Sequence, residues 1–144
     1  MALQNKVLEV QLTVGDLQRQ VGDPRSAIAT YTKAMPVMEA LTRRDPANTT
    51  WQRLRGNLES DFGFALLDGG DYKAGLEQLG VAIETQQALV SRDPQSTTWQ
   101  GDLSRSYTRA GDAQLALGEI DRGIAQYQLA LDIRQKLVAK DAKS

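Results

Sequence analysis

The 144-residue chain has neither histidine nor cysteine, and its 17 basic and 18 acidic side chains leave a formal charge of −1. These absences exclude disulfides, imidazole and thiolate metal sites, and any Ser-His-Asp or Cys-His nucleophile. The near-neutral charge lacks the basic footprint of a nucleic-acid-binding domain. With 24% charged and 41% apolar residues and no run near the ~18 apolar residues of a membrane span, the composition predicts a soluble folded domain. The opening "MALQNKVLEVQL" has no apolar leader core, so a cytoplasmic location, no membrane association and no cofactor are expected.

The first predicted helix covers 3–21, with Val7, Val10, Val14, Leu17 and Val21 as its core stripe and Leu8 and Leu12 beyond it. Gly22-Asp23-Pro24 then reads as stop and start: Gly ends a helix, Asp caps the next and Pro takes its first position. The second helix covers 24–43 and contains Pro36, which removes the bond to the Thr32 carbonyl, so a kink is expected there. "DPANTTWQ" at 45–52 leads into a helix over 50–68, and Gly70-Asp71 leads into another over 72–91. "DPQSTTWQ" at 93–100 leads into 98–116, where Trp99, Leu103, Tyr107, Ala110 and Gly111 share one stripe. Gly118 suits a left-handed helix end, and a last helix over 120–140 carries Ile124, Tyr127, Leu131 and Val138 on one face. No stretch alternates as a strand would.

The two near-identical phrases mark a longer period, because 48 residues separate Asp45 from Asp93. At that spacing Gly15, Gly63 and Gly111 align, as do Gly22, Gly70 and Gly118. Ala27/Gly75/Gly123, Tyr31/Leu79/Tyr127, Ala34/Ala82/Ala130 and Leu41/Leu89/Leu137 form further columns. The chain therefore reads as one all-α domain of three two-helix repeats, roughly 1–48, 49–96 and 97–144. Thr49/Thr50 and Thr97/Thr98 are read as helix caps, Trp51 and Trp99 as core anchors.

Within each repeat the columns resemble the tetratricopeptide repeat. An aromatic, an apolar-Gly pair, a small residue with a bulky one four later, and an Ala recur in register. The third repeat has Tyr107, Ala110-Gly111, Gly123, Tyr127 and Ala130; the first two keep this pattern but place Gln11 and Glu59 at the aromatic position. The common repeat is ~34 residues, and the 14 extra residues here amount to about four helical turns. The chain is thus similar to the long-helix variant of the family. The resemblance implies a right-handed superhelical solenoid of six antiparallel helices and a non-catalytic interaction module. Such a module binds a peptide or protein segment in the concave groove lined by the first helix of each repeat.

Carried over by position, the expected groove consists of Leu12, Asp16 and Arg19, then Asn57, Ser60, Phe64 and Leu67, then Arg105, Thr108, Arg109 and Asp112. Glu9, Asp61 and Leu115 fall on the same faces. Phe64 is a large apolar side chain on a face expected to be wet. Arg105 and Arg109, four apart, can together hold a carboxylate; the alternative is that both are solvated helix arginines. Some family members grip a partner's C-terminal carboxylate through basic residues and asparagines. Here Leu12, Asp16 and Asp61 replace members of that set, so that recognition is not assigned. Carboxylate pairs such as Asp68/Asp71 and Asp102/Asp112 are expected near solvent-facing helix ends, not in a catalytic pocket. The terminal helices each leave one apolar side uncovered, so either the chain is part of a longer array or larger protein, or these ends meet another chain, and self-association is the second expectation.

Overall fold

The computed structural model describes residues 2–142, which form six helices and no strand. These are α1 (Ala2–Gln20), α2 (Pro24–Arg44), α3 (Thr49–Asp68), α4 (Tyr72–Arg92), α5 (Thr97–Ala116) and α6 (Ile120–Ala142). Every predicted helix is present, with ends within two residues of the expected ones. The local chemistry explains that agreement. Gly22, Gly70 and Gly118 adopt φ of 82°, 88° and 80°, a left-handed turn that side chains disfavour. Asp23 and Asp71 come directly after two of these turns and accept the amides of Ser26 and Ala74, each at 3.1 Å.

One capping assignment is corrected. The caps of α3 and α5 are Asn48 and Ser96, which accept the amides of Trp51 and Trp99 at 3.1 and 3.2 Å. The threonine pairs are the first helical residues. An N-cap stands just before the first helical residue and accepts an amide two or three residues on, and Asn48 and Ser96 hold that position. At the other ends, Asp45 and Asp93 cap α2 and α4, and Pro46 and Pro94 come next. α2 runs through Pro36 without a break, with the proline on its exposed side.

Consecutive helices pack against each other along the chain, and the first helices also touch: α1 meets α3, and α3 meets α5. No Cα atoms of α2 and α4, or of α4 and α6, approach within 8 Å. The stack therefore curves with α1, α3 and α5 on its inside. This is an all-α helical repeat solenoid, as expected from the repeated columns.

Within each pair, the crossing is set by small residues. A Cβ at Gly75 would lie 2.9 Å from the Gly63 carbonyl oxygen and 2.7 Å from Leu67 Cδ2; one at Gly63 would lie 3.1 Å from the Gly75 oxygen. Gly111 and Gly123 repeat the arrangement at 3.1 Å in both directions. In the first pair, a Cβ at Gly15 would meet the Tyr31 ring. Between pairs, the bulky column fills the gap: Tyr31, Met38 and Leu41 of α2 pack with Leu58 and Ala65 of α3, and Tyr31 and Phe62 stand 6.2 Å apart ring to ring. Arg92 and Lys140, at equivalent positions, each reach back to a carbonyl of an earlier connecting loop, Ala47 at 3.4 Å and Gln95 at 2.9 Å.

The apolar stripes expected to be core on the terminal helices are not. Val7, Val10, Val14, Leu17 and Val21 are exposed, whereas Leu8 is fully buried and Leu12 packs on the core. On α6, Ile124, Leu131 and Val138 are exposed, while Gly123 and Ala130 are buried. Each helix of a stack has one face for its own pair and another for the adjoining pair. The stripes legible in sequence on α1 and α6 belong to the second kind, and no described helix lies against them.

The close crossing is open to a paired test. Gly75→Ala should destabilise the fold by about 1–3 kcal/mol, because a backbone carbonyl cannot give way as a side chain can. Gly80→Ala, on the exposed side of α4 with no atom within 4 Å of its Cβ, should stabilise it by about 0.5–1 kcal/mol. Urea unfolding midpoints of the two variants should move in opposite directions.

Candidate functional site

The inner helices bring the expected groove residues onto one curved surface but use them unequally. Ser60 is buried between α3 and α5, where it receives hydrogen bonds from Ser106 at 2.9 Å and Arg109 at 3.0 Å. Leu67 is buried in the core cluster with Leu79, Ala110 and Ala113. Thr108 is half-buried and donates to the Ser104 carbonyl at 3.0 Å. Asp112 is exposed and accepts from the Tyr127 hydroxyl, which pushes that phenol up to about 12, with a smaller contribution from burial.

Phe64 is half-buried, with the Arg109 guanidinium 4.4 Å and the Arg19 guanidinium 5.3 Å from its ring centre. The ring that sequence placed in water is therefore covered by two cations, an arrangement worth ~0.5–2 kcal/mol per contact. Arg109 also pairs with Asp61 at 2.9 Å and is nearly buried, with 11% of its side chain exposed. Burial lowers its pKa, opposed by Asp61. Asp16 accepts from the Tyr31 hydroxyl at 2.5 Å. Burial raises the Asp16 pKa against that hydrogen bond, and the neighbouring Asp61 raises it further.

The arginine pair is thereby divided. Arg109 is held by Asp61, Ser60 and Phe64, whereas Arg105 is exposed and makes no hydrogen bond or ion pair among the described residues. Arg105 lines a cavity of about 200 Å³ with Leu12, Asp16, Leu54, Asn57, Leu58 and Asp61. A second cavity of about 340 Å³ adjoins it through Leu54 and Asn57 and reaches Glu9, Arg53 and Trp99. Asn57 Oδ1 is buried without a hydrogen-bond partner, which costs about 1–3 kcal/mol unless something supplies a donor. Trp51 packs on the core, but its counterpart Trp99 is half-buried along this trough.

Two buried carboxylates were not identified as such in the sequence. Asp102, expected near solvent, is buried and receives Arg53 Nε at 2.8 Å, tying α3 to α5. Glu59 is fully buried; Thr85 donates to it at 2.7 Å and Arg55 lies at 3.4 Å. Its only sequence signal is its place in the aromatic column. Burial raises the Glu59 pKa above the ordinary 4.5, against the lowering by Thr85 and Arg55.

Fold and surface together define a helical-repeat protein with a polar, partly open inner face. Residues 104–137, which fall in the third helix pair, match the family model of the tetratricopeptide repeat. That family is one of protein–protein interaction modules. No curated protein matches the chain. Among the described residues, no helix is long and apolar enough to cross a membrane.

Glu59 makes the stability pH-dependent. Its raised folded-state pKa means its contribution is fully present below pH 4.5, the ordinary value, and is lost as pH rises through the folded value. Glu59→Gln should remove that loss. Urea midpoints of both proteins measured from pH 4 upward (a window set by that shift) should diverge with rising pH; parallel profiles would mean that Glu59 titrates normally.

Proposed function

We propose that the chain is a non-catalytic interaction module that holds a peptide or protein segment along the concave face of α1, α3 and α5. The observation that carries this reading is the trough between Arg105 and Trp99. There, an unpaired guanidinium and the unpartnered Asn57 Oδ1 sit beside Leu12 and Leu54. Arg53 and Arg109, the other arginines near the trough, are already held by internal carboxylates. An acidic group of a partner would meet Arg105, and a backbone N–H would satisfy Asn57. An apolar side chain would rest on Leu54 and Trp99, so that charge supplies orientation and apolar contact supplies affinity. Ser60, Leu67 and Arg109 act here as supports of the surface. The three helix pairs serve as one domain, because the trough draws on α1, α3 and α5 together.

The absence of histidine and cysteine favours binding over catalysis. So does the engagement of Asp102 and Glu59 in ion pairs. No cofactor is needed for this activity.

Affinity capture with mass spectrometry, followed by titration of the captured partner, tests the reading. Arg105→Glu should weaken binding about tenfold, equivalent to about 1.4 kcal/mol, and Asn57→Leu should weaken it as well. Unchanged affinity in both variants would remove this face as the binding site.

A further inference from the structure

We propose that copies of this chain stack head to tail, with the exposed stripe of α1 on one copy seated against the exposed stripe of α6 on the next. The occupant of each face is indicated by the two interfaces that the chain already contains between adjoining helix pairs. In the first, Ile28 and Met35 of α2 pack against the cluster holding Leu58 and Ala65, with Phe62 beside them, all of α3. In the second, Leu76 and Ile83 of α4 pack against the cluster holding Ala110 and Ala113 of α5.

One further period of 48 residues, the register of the helix starts at Pro24, Tyr72 and Ile120, leads from Leu76 and Ile83 to Ile124 and Leu131. These are 46% and 54% exposed, and Val138, at the position of Val90, is 69% exposed. One period back from Leu58, Phe62 and Ala65 stand Val10, Val14 and Leu17, which are 62%, 41% and 54% exposed. α1 thus offers the first-helix half of the repeated interface, and α6 offers the second-helix half. Each half is apolar at three aligned positions, and each half is what the other lacks. A symmetric dimer would set like against like and leave the pattern unmatched. A head-to-tail contact uses both halves and does not close on itself, so it generates chains. These faces lie apart from Arg105 and the trough, so stacking would extend the concave surface.

Sedimentation velocity and light scattering on the full chain test the proposal. The wild type should show a mass that rises with concentration beyond two copies of 15.8 kDa. Val14→Glu spoils only the head, and Leu131→Glu spoils only the tail. Both positions are exposed, and Val10→Glu is the alternative should Val14→Glu lose helicity by circular dichroism. Each variant alone should remain monomeric. The two variants mixed in equal amounts should form a dimer and nothing larger, because one intact head meets one intact tail. A wild type monomeric at every concentration, a single variant that still dimerises, or a mixture that stays monomeric would overturn the proposal.

Discussion

The whole stack depends on how closely the two helices of a pair can cross. Gly63 and Gly75 stand nearly backbone to backbone, with no room for a Cβ on either side, and Gly111 and Gly123 repeat that contact. Close crossing frees space further along the pair, where the bulky column can reach the next unit. Tyr31 and Leu79 are fully buried there, and Tyr31 meets Phe62 of the adjoining pair. Small residues inside pairs and large residues between pairs are therefore two halves of one packing solution. They produce a structure in which each unit contacts mainly its neighbours.

The inside of the curve is held by polar contacts. Arg53 to Asp102, Arg109 to Asp61 and Ser106 to Ser60 all join α3 to α5. Arg19 of α1 and Arg109 of α5 both lie over the Phe64 ring of α3. Partly buried ion pairs add stability only when their remaining hydrogen-bonding groups are satisfied. Here Ser60 and Phe64 help hold the Arg109 guanidinium. The polar lining fixes the spacing of the inner helices and leaves Arg105 and Asn57 facing the trough. The open surface of the trough is what remains after the fold has used the rest.

Much of the architecture was legible in the sequence because it is encoded locally and three times over. Gly22, Gly70 and Gly118 mark left-handed turns, Asp23 and Asp71 cap the second helix of their pairs, and the Asp-Pro phrases close the first two pairs. Such signals act within a few residues and need no tertiary context. The site was legible only as a face. Position within the repeat named Arg105 and Arg109 together, but it could not reveal that Asp61 and Phe64 would hold one and leave the other. Nor could it show that Glu59, in the column it shares with Gln11 and Tyr107, would be buried against Thr85.

The sequence by itself determined the period, the helix boundaries and the small and bulky columns that make the helices pack as a repeat. Only the tertiary structure decided which apolar stripe of each terminal helix is covered. Periodicity shows that Val10, Val14 and Leu17 share a face, as do Ile124, Leu131 and Val138. It does not show whether that face meets another helix. Burial depends on what stands opposite, and among the described residues no helix stands opposite these two stripes.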